Sequence, residues 1–523
     1  MHGACMALLC GVTACAPRSA RPAGQPETPA ADSASPEQPL TLKLLPPPQG
    51  VAPVPPSCQP HVALQIPACT LDKDAAFADL AQALSVTGQL DRDRALVRLE
   101  QCAAFTPGVI RALRVELAPP VCADALVDAY FENAAAQPLR ADLKDLLFGL
   151  GIAARLDRVE LQPPVEPSAT QSKEKFQEFF KAQLAPWIVQ QAKAIHELME
   201  QAAKLQGYGR GLAAISAGIA DLRFVELTRA LPLPNDMQSD PAVRDAYYGM
   251  LDQVLEPRKQ RGRDAALVGL KELAQVGVLH GERLERARAL LSSQYAGRRV
   301  DLLDGLLLPA LNPLKVEDAG VGVLVRLPSY YVVDLVPSAD PSAASVLRAL
   351  LEQGLPRRYA TQLQGAALTS EAREQYARLL FELGRKYWSA ADFKAAAAVT
   401  SFQAPGGAAA SDAQRLVGAL AVALQEGPQS TAEMMLKGPF LNGAAKVEAL
   451  DALSKEKSPI AGLAAYDAAL LISLNPPTEG AKVFWSQLDK RYRTAAKLLR
   501  DPEQKKEALA RADAAAQTAK AAQ

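Results

Sequence analysis

Aromatic residues make up 5% of the 523-residue chain, no cysteine occurs after position 122, and lysine plus arginine equal aspartate plus glutamate at 57 each. Each shortage excludes something. Zero net charge removes the electrostatic basis for holding nucleic acid or an anionic surface. Sparse aromatics speak against a sugar-stacking cleft. No segment after residue 15 offers the run of about 18 apolar residues that a spanning helix needs; the most apolar piece, Leu302 to Leu314, is interrupted by Asp304, Pro309 and Pro313. Phosphate loops of the GxGxxG or GxxxxGK[ST] kind are missing, so no small-molecule cofactor is expected.

What is present begins with Val12-Thr13-Ala14-Cys15, behind an apolar stretch from Gly3 to Gly11 and ahead of a proline-rich segment. A branched aliphatic, two small residues and a cysteine in this order resemble the lipobox of a bacterial lipoprotein signal. The resemblance implies that residues 1–15 are signal peptide and lipidation site, with Cys15 the acylated first residue of the mature chain. With Ala16 rather than aspartate next, it implies the default route to the outer membrane, facing the periplasm or the surface. A secretory signal also has a basic n-region; only His2 precedes the apolar run, so a start bearing Lys or Arg is expected upstream. Three acyl chains, at about 0.8 kcal/mol per buried CH₂, anchor stably where one is marginal. Residues 16–57, rich in Pro, Ala, Ser and Gln, cannot bury a core. They read as a tether that, as polyproline II at about 3.1 Å per residue, would reach roughly 130 Å.

Cys58, Cys69, Cys102 and Cys122 fall together in a module spanning 58–160. An even count in one exported module predicts two disulfides, with three possible connectivities. Helical spacing places Leu96, Leu99 and Cys102 on one stripe and Cys122, Leu126 and Tyr130 on another, which favours Cys102 with Cys122 and Cys58 with Cys69. Buried free thiols are the alternative. Zinc is disfavoured, because no CxxC pair occurs and His61 is the one histidine nearby.

Beyond the tether the periodicity is helical, as in Phe77, Leu80, Ala81 and Leu84, or Phe176, Phe179, Phe180, Leu184 and Ile188. Breaks arrive at Pro and Gly, among them the Gly207, Gly209, Gly211 group, and short breaks set successive helices antiparallel. The expected fold is all-α, a helical-hairpin bundle or solenoid. Residues 161–172 read as a linker, 173–345 as a helical domain, 346–500 as a further helical domain and 501–523 as a charged, frayed or exposed helical tail. Within 320–337, valines and tyrosines around Leu327-Pro328-Ser329 suggest a β-hairpin connector packed on helices. Its functional reading would be a protruding contact element with Tyr330 and Tyr331 at the tip. Leu383, Gly384, Tyr387, Asp392, Phe393 and Ala396 resemble the first helix and turn of a tetratricopeptide repeat, and Tyr466, Ala469, Leu470 and Pro476 resemble the second helix of such a unit. The resemblance covers about a fifth of the chain and implies close helix hairpins with a partner-binding face. It departs at Thr400 and Gln403, and no clean period of about 34 residues runs along the chain.

Motifs for chemistry fall short. His196-Glu197-Leu198-Met199-Glu200 has Glu200 where a zinc helix wants its second histidine, and Ser216 lies in AISAG without the preceding strand of a nucleophile elbow. Ser172 and Ser454 match S-x-x-K, but each reads better as a helix cap or a solvated residue. The basic run Arg258 to Arg263 reads as a solvated helix junction. No catalytic, cofactor or metal residue is assigned. The expected function is a membrane-anchored envelope lipoprotein acting as a noncatalytic scaffold for a protein partner. The alternative is an all-helical cell-wall hydrolase whose catalytic carboxylate leaves no linear trace.

Overall fold

The computed structural model describes residues 44–133, 139–159, 162–310, 327–335, 370–401, 410–437 and 446–522. The fold is all-α: helices make up the regular structure among these residues, joined by one isolated antiparallel bridge between Val51 and Val159. Cys15, with residues 1–43, lies outside them.

The N-terminal module is built from α1 (Lys73–Ser85), α2 (Gln89–Val97), α3 (Val109–Leu117), α4 (Ala123–Asn133) and α5 (Ala141–Asp157). Local chemistry sets the starts. Asp72 accepts from the Ala75 N–H and caps α1. Gly108, at φ 83°, makes the left-handed turn into α3 that a side chain would resist. The module also claims part of the expected tether. Leu44 is buried, and the Ala52 N–H donates to the Arg158 carbonyl at 3.0 Å. Residues 44–57 therefore belong to the body, because apolar Leu44 and Val51 have a surface to cover.

Ser172 caps α6 (Lys173–Phe179), which continues through one π turn, Phe180–Leu184, into α7 (Ala185–Ala202). Then come α8 (Gly207–Arg229), α9 (Pro241–Val276) and α10 (Glu282–Gln294). α8 is the axis of the molecule, packed on α5, α7, α9 and α10. Its middle stretch, Leu212 to Ala220, carries no charge on any side, which suits a helix enclosed by others. The glycine group expected to break the chain instead opens this helix. A Cβ on Gly149 of α5 would strike the Gly209 backbone, and one on Gly209 would strike the Asp145 carbonyl, so the missing side chains are what lets two backbones touch. Across the expected boundary at 161–172, α5 and α8 pack in one core. Ala169 is buried in a smaller core with Phe176, Trp187, Phe224 and Leu255.

The C-terminal third runs through α11 (Ser370–Tyr387), α12 (Ala390–Ser401), α13 (Asp412–Leu424), α14 (Thr431–Lys437), α15 (Glu448–Ser454), α16 (Ala461–Ser473), α17 (Ala481–Leu498) and α18 (Pro502–Ala521). Most of these helices pack on their chain neighbours. Gly384 faces the Phe393 ring so closely that a Cβ would stand 2.7 Å from it. Trp388 between them adopts φ 54°, unusual for a side-chain-bearing residue, and is held by its indole N–H donating to the Val300 carbonyl at 2.8 Å. The tail is not frayed. Ala508, Ala512, Ala515 and Ala519 form a buried stripe on α18 against α17, small enough for close approach and easily missed when only large apolar residues are counted.

The hairpin expectation needs correction over its second half; its first half, 320–326, lies outside the described residues. Ser329–Tyr331 is a 3₁₀ turn and Val332–Leu335 a helical turn. The tyrosines are not an exposed tip. Tyr331 is fully buried, while Tyr330 stacks on Tyr208 with ring centroids 4.6 Å apart and donates to Asp142 at 2.8 Å. Arg140 donates to Asp334 at 2.6 Å. Docking of these side chains on the N-terminal module overrides the strand propensity of the valines.

Candidate functional site

All four cysteines of the N-terminal module are paired, but in a connectivity other than the favoured one: Cys58 bonds Cys122 and Cys69 bonds Cys102. Cys102 and Cys122 are both buried as expected, but Leu99 and Cys102 lie past the end of α2 and not on a helical stripe, and Cys122 ends a 3₁₀ turn. A stripe fixes which way a cysteine points, not which partner the tertiary fold brings to it. Cys58 sits in the turn Pro56–Cys58 and Cys122 in the turn Pro120–Cys122 that leads into α4, and the packing of those turns joins them. Buried ion networks surround the bridges. Arg114 holds Asp93 and donates to Glu100 at 2.8 Å, His61 Nδ1 lies 2.7 Å from Asp93, and Arg158 grips Asp124 with both Nη atoms at 2.7 and 2.6 Å. His61 thus serves this network, and no group of three metal-binding side chains occurs among the described residues.

The near-miss motifs scatter. His196 pairs with Glu200 at 3.4 Å on the exposed face of α7. Ser172 is the cap of α6, and Ser454 donates to the Asp451 carbonyl at 2.8 Å. The basic run is a correction: it lies inside α9, which carries Pro257 within it, and is only partly solvated. Arg258 is buried, donates to Asp221 of α8 at 2.8 Å and stacks over Phe224 at 3.4 Å. Burial pulls its guanidinium down to about 10 against the opposing pull of Asp221. Arg261 donates to the other oxygen of Asp221 at 2.6 Å. The fully buried Asp221, 0% exposed, requires this double pairing.

The residues that come together around a cavity are ones no linear pattern marked. The ends of α3 and α5, the middle of α8 and the start of α10 enclose a cleft of about 740 Å³. Glu116 of α3 lies in its wall and accepts from the Tyr208 hydroxyl at 2.6 Å; the Tyr331 hydroxyl stands beside it without a closed hydrogen bond. Burial pushes the Glu116 carboxyl above its ordinary value, with Tyr208 and Arg283 opposing. The Tyr208 hydroxyl is held well above its own range, first by burial and then by Glu116. Arg283, on the first turn of α10, bridges to Asp157 at the end of α5. Ser216, 3% exposed, contributes a hydroxyl with no protein partner. A carboxyl raised in this way holds a proton to higher pH than an exposed one does. No protein-family model, curated protein or solved structure matches the chain.

Proposed function

We propose that the chain is a lipid-anchored protein of the bacterial cell envelope whose helical body is a noncatalytic scaffold for another protein. One observation carries the scaffold reading: through the C-terminal third, α11 stacks on α12, α12 on α13, α15 on α16, α16 on α17 and α17 on α18. Neighbour-on-neighbour stacking leaves a long surface built by several hairpins, the way helical-repeat proteins display a binding face. The tetratricopeptide-like reading of Leu383 to Ala396 draws support from the tight meeting of Gly384 and Phe393. Val483, Leu498 and Leu509 stand exposed on α17 and α18, as apolar contacts for a partner would. The envelope assignment rests on the lipobox resemblance at Val12 to Cys15, and the two disulfides favour an oxidising compartment.

The test uses the full chain with an upstream start, produced in a diderm envelope with a photo-crosslinking residue at Val483 or Leu509. A discrete adduct and fatty-acid labelling are expected, with Cys15→Ala abolishing the label. Unlabelled wild type sinks the anchor; folded protein that gives no adduct sinks the scaffold. A second reading, an all-helical cell-wall hydrolase, draws on Glu116, an acid in a cleft whose pKa burial raises. Turnover of cell-wall material that vanishes in Glu116→Gln would put that reading first.

A further inference from the structure

Residues 64–71, LQIPACTL, carry no charge and no regular structure, and none of their main-chain groups makes a backbone hydrogen bond among the described residues. Ile66 and Leu71 stand 37% and 38% exposed, on a segment where Cys69 supplies the contact with the main core. Such a segment is ordinarily loose, yet this one is fastened at three points. At its start, the His61 carbonyl accepts from Arg114 at 2.7 Å and the His61 ring lies 2.7 Å from Asp93, both inside the module. Near its end, Cys69 is bonded to the buried Cys102. Just beyond, Asp72 caps α1. Pro67 fixes its own φ and holds Ile66 extended, and Asp72 is extended at φ −68° and ψ 175°. The chain thus presents open main-chain groups and apolar side chains in a shape set beforehand.

Those main-chain groups decide the kind of partner. Hydrocarbon leaves them unsatisfied, which excludes a lipid surface; a groove that reads extended chain satisfies them and takes alternate side chains in pockets. We propose that this segment is a reversible inhibitor of a chymotrypsin-type serine peptidase with an apolar primary pocket, Leu71 filling that pocket and the Leu71–Asp72 bond presented to the catalytic serine. Leu71 is chosen over Ile66 because Pro67 follows Ile66 and removes a donor. Thr70, Leu71, Asp72, Lys73 and Asp74 are all exposed, so the bond is open on both sides. Fastening separates an inhibitor from a substrate. Hydrolysis of the bond consumes one water and leaves a carboxylate on Leu71 and an amine on Asp72. Those ends stay together, since the disulfide holds one at Cys69 and the cap to Ala75 holds the other. Re-forming the bond, with loss of the same water, therefore competes with release. This surface lies on the N-terminal module, apart from the scaffold face on α17 and α18, so either can fail without the other.

The experiment titrates the full oxidised chain carrying Cys15→Ala into chymotrypsin that is turning over a chromogenic peptide. Competitive inhibition with a constant of about 1 μM or tighter is expected. It should persist on long incubation, with intact mass showing the 71–72 bond whole or in a steady mixture of whole and cut chains. Leu71→Asp should weaken inhibition about tenfold or more, and Leu71→Phe should keep it, because the pocket takes a large apolar group and rejects a charge. Cys69→Ser with Cys102→Ser should turn the inhibitor into a substrate, inhibition fading as cutting at 71–72 runs to completion. Should that double variant fail to fold, the two Leu71 variants, at an exposed position, carry the test. Absence of inhibition by folded protein, inhibition indifferent to Leu71→Asp, or wild-type inhibition that fades as the bond is cut each overturns the proposal.

Discussion

Glu116 shows what a single residue does to the whole. Its folded-state pKa is raised above the ordinary 4.5, mainly by burial. A carboxyl shifted this way adds stability while protonated, fully so below its unfolded value, and that contribution is lost as pH rises through the folded value. Glu116→Gln keeps an acceptor for Tyr208 and has no proton to lose. Melting curves from acidic to neutral pH should therefore show the variant gaining on the wild type as pH rises; parallel curves would refute the assignment. Asp467, fully buried and raised the same way, contributes a slope of the same sign that the variant leaves in place. None of this was legible in the sequence. Glu116, Tyr208 and Tyr331 are far apart in the chain, and only the closure of α3, α8 and the 327–335 turn brings them together. The cysteines were legible as paired from their even count in one module; their surroundings and connectivity required the fold.

Glycine separates the readable from the unreadable at the scale of elements. On α8 and α5, Gly209 and Gly149 are contact surfaces, and Gly218 meets the backbone of Ala266 on α9. Gly209→Ala or Gly218→Ala should cost about 1–3 kcal/mol or more, since backbone must move to admit the methyl. Gly249 on the same α9 has open space around it, so Gly249→Ala should stabilise by about 0.5–1 kcal/mol through helix propensity. Urea denaturation of the three variants checks both signs, and a uniform loss would show that propensity, not packing, sets the role of these glycines. The sequence shows a glycine and its neighbours, not the second helix that makes it necessary. The same blindness hid the alanine stripe of α18, whereas the large-residue stripe of α6 and α7 was visible from Phe176 onward. The hydrophobic period made the all-α class readable; helix partners were not encoded at that range.

At the scale of the molecule, the N-terminal module is closed by covalent loops with sequence separations of 64 and 33 residues. The chain-entropy account gives about 4 kcal/mol for each. Reduced protein should unfold at lower denaturant than oxidised protein, and the intact mass should lack four hydrogens relative to the reduced form; identical midpoints would mean that packing alone holds the module. The core runs from Leu80 in α1 to Ala515 in α18 without a gap at the expected boundary, so cutting at 161–172 would expose apolar surface on both pieces. The linker was readable as proline-rich composition, but continuity of packing across it was not.

The strap from Leu44 to Ala52 has a mechanical consequence. It lies on the module through the Arg155 bond to the Leu45 carbonyl and the paired bonds between Ala52 and Arg158. Drag arriving from the N-terminal side must first peel this strap. Peeling then halts at Cys58, where the load passes through the covalent bridge to Cys122 and into the start of α4. Traction at the leading end is thus taken up by a crosslinked block, and the stacked C-terminal helices are spared the strain.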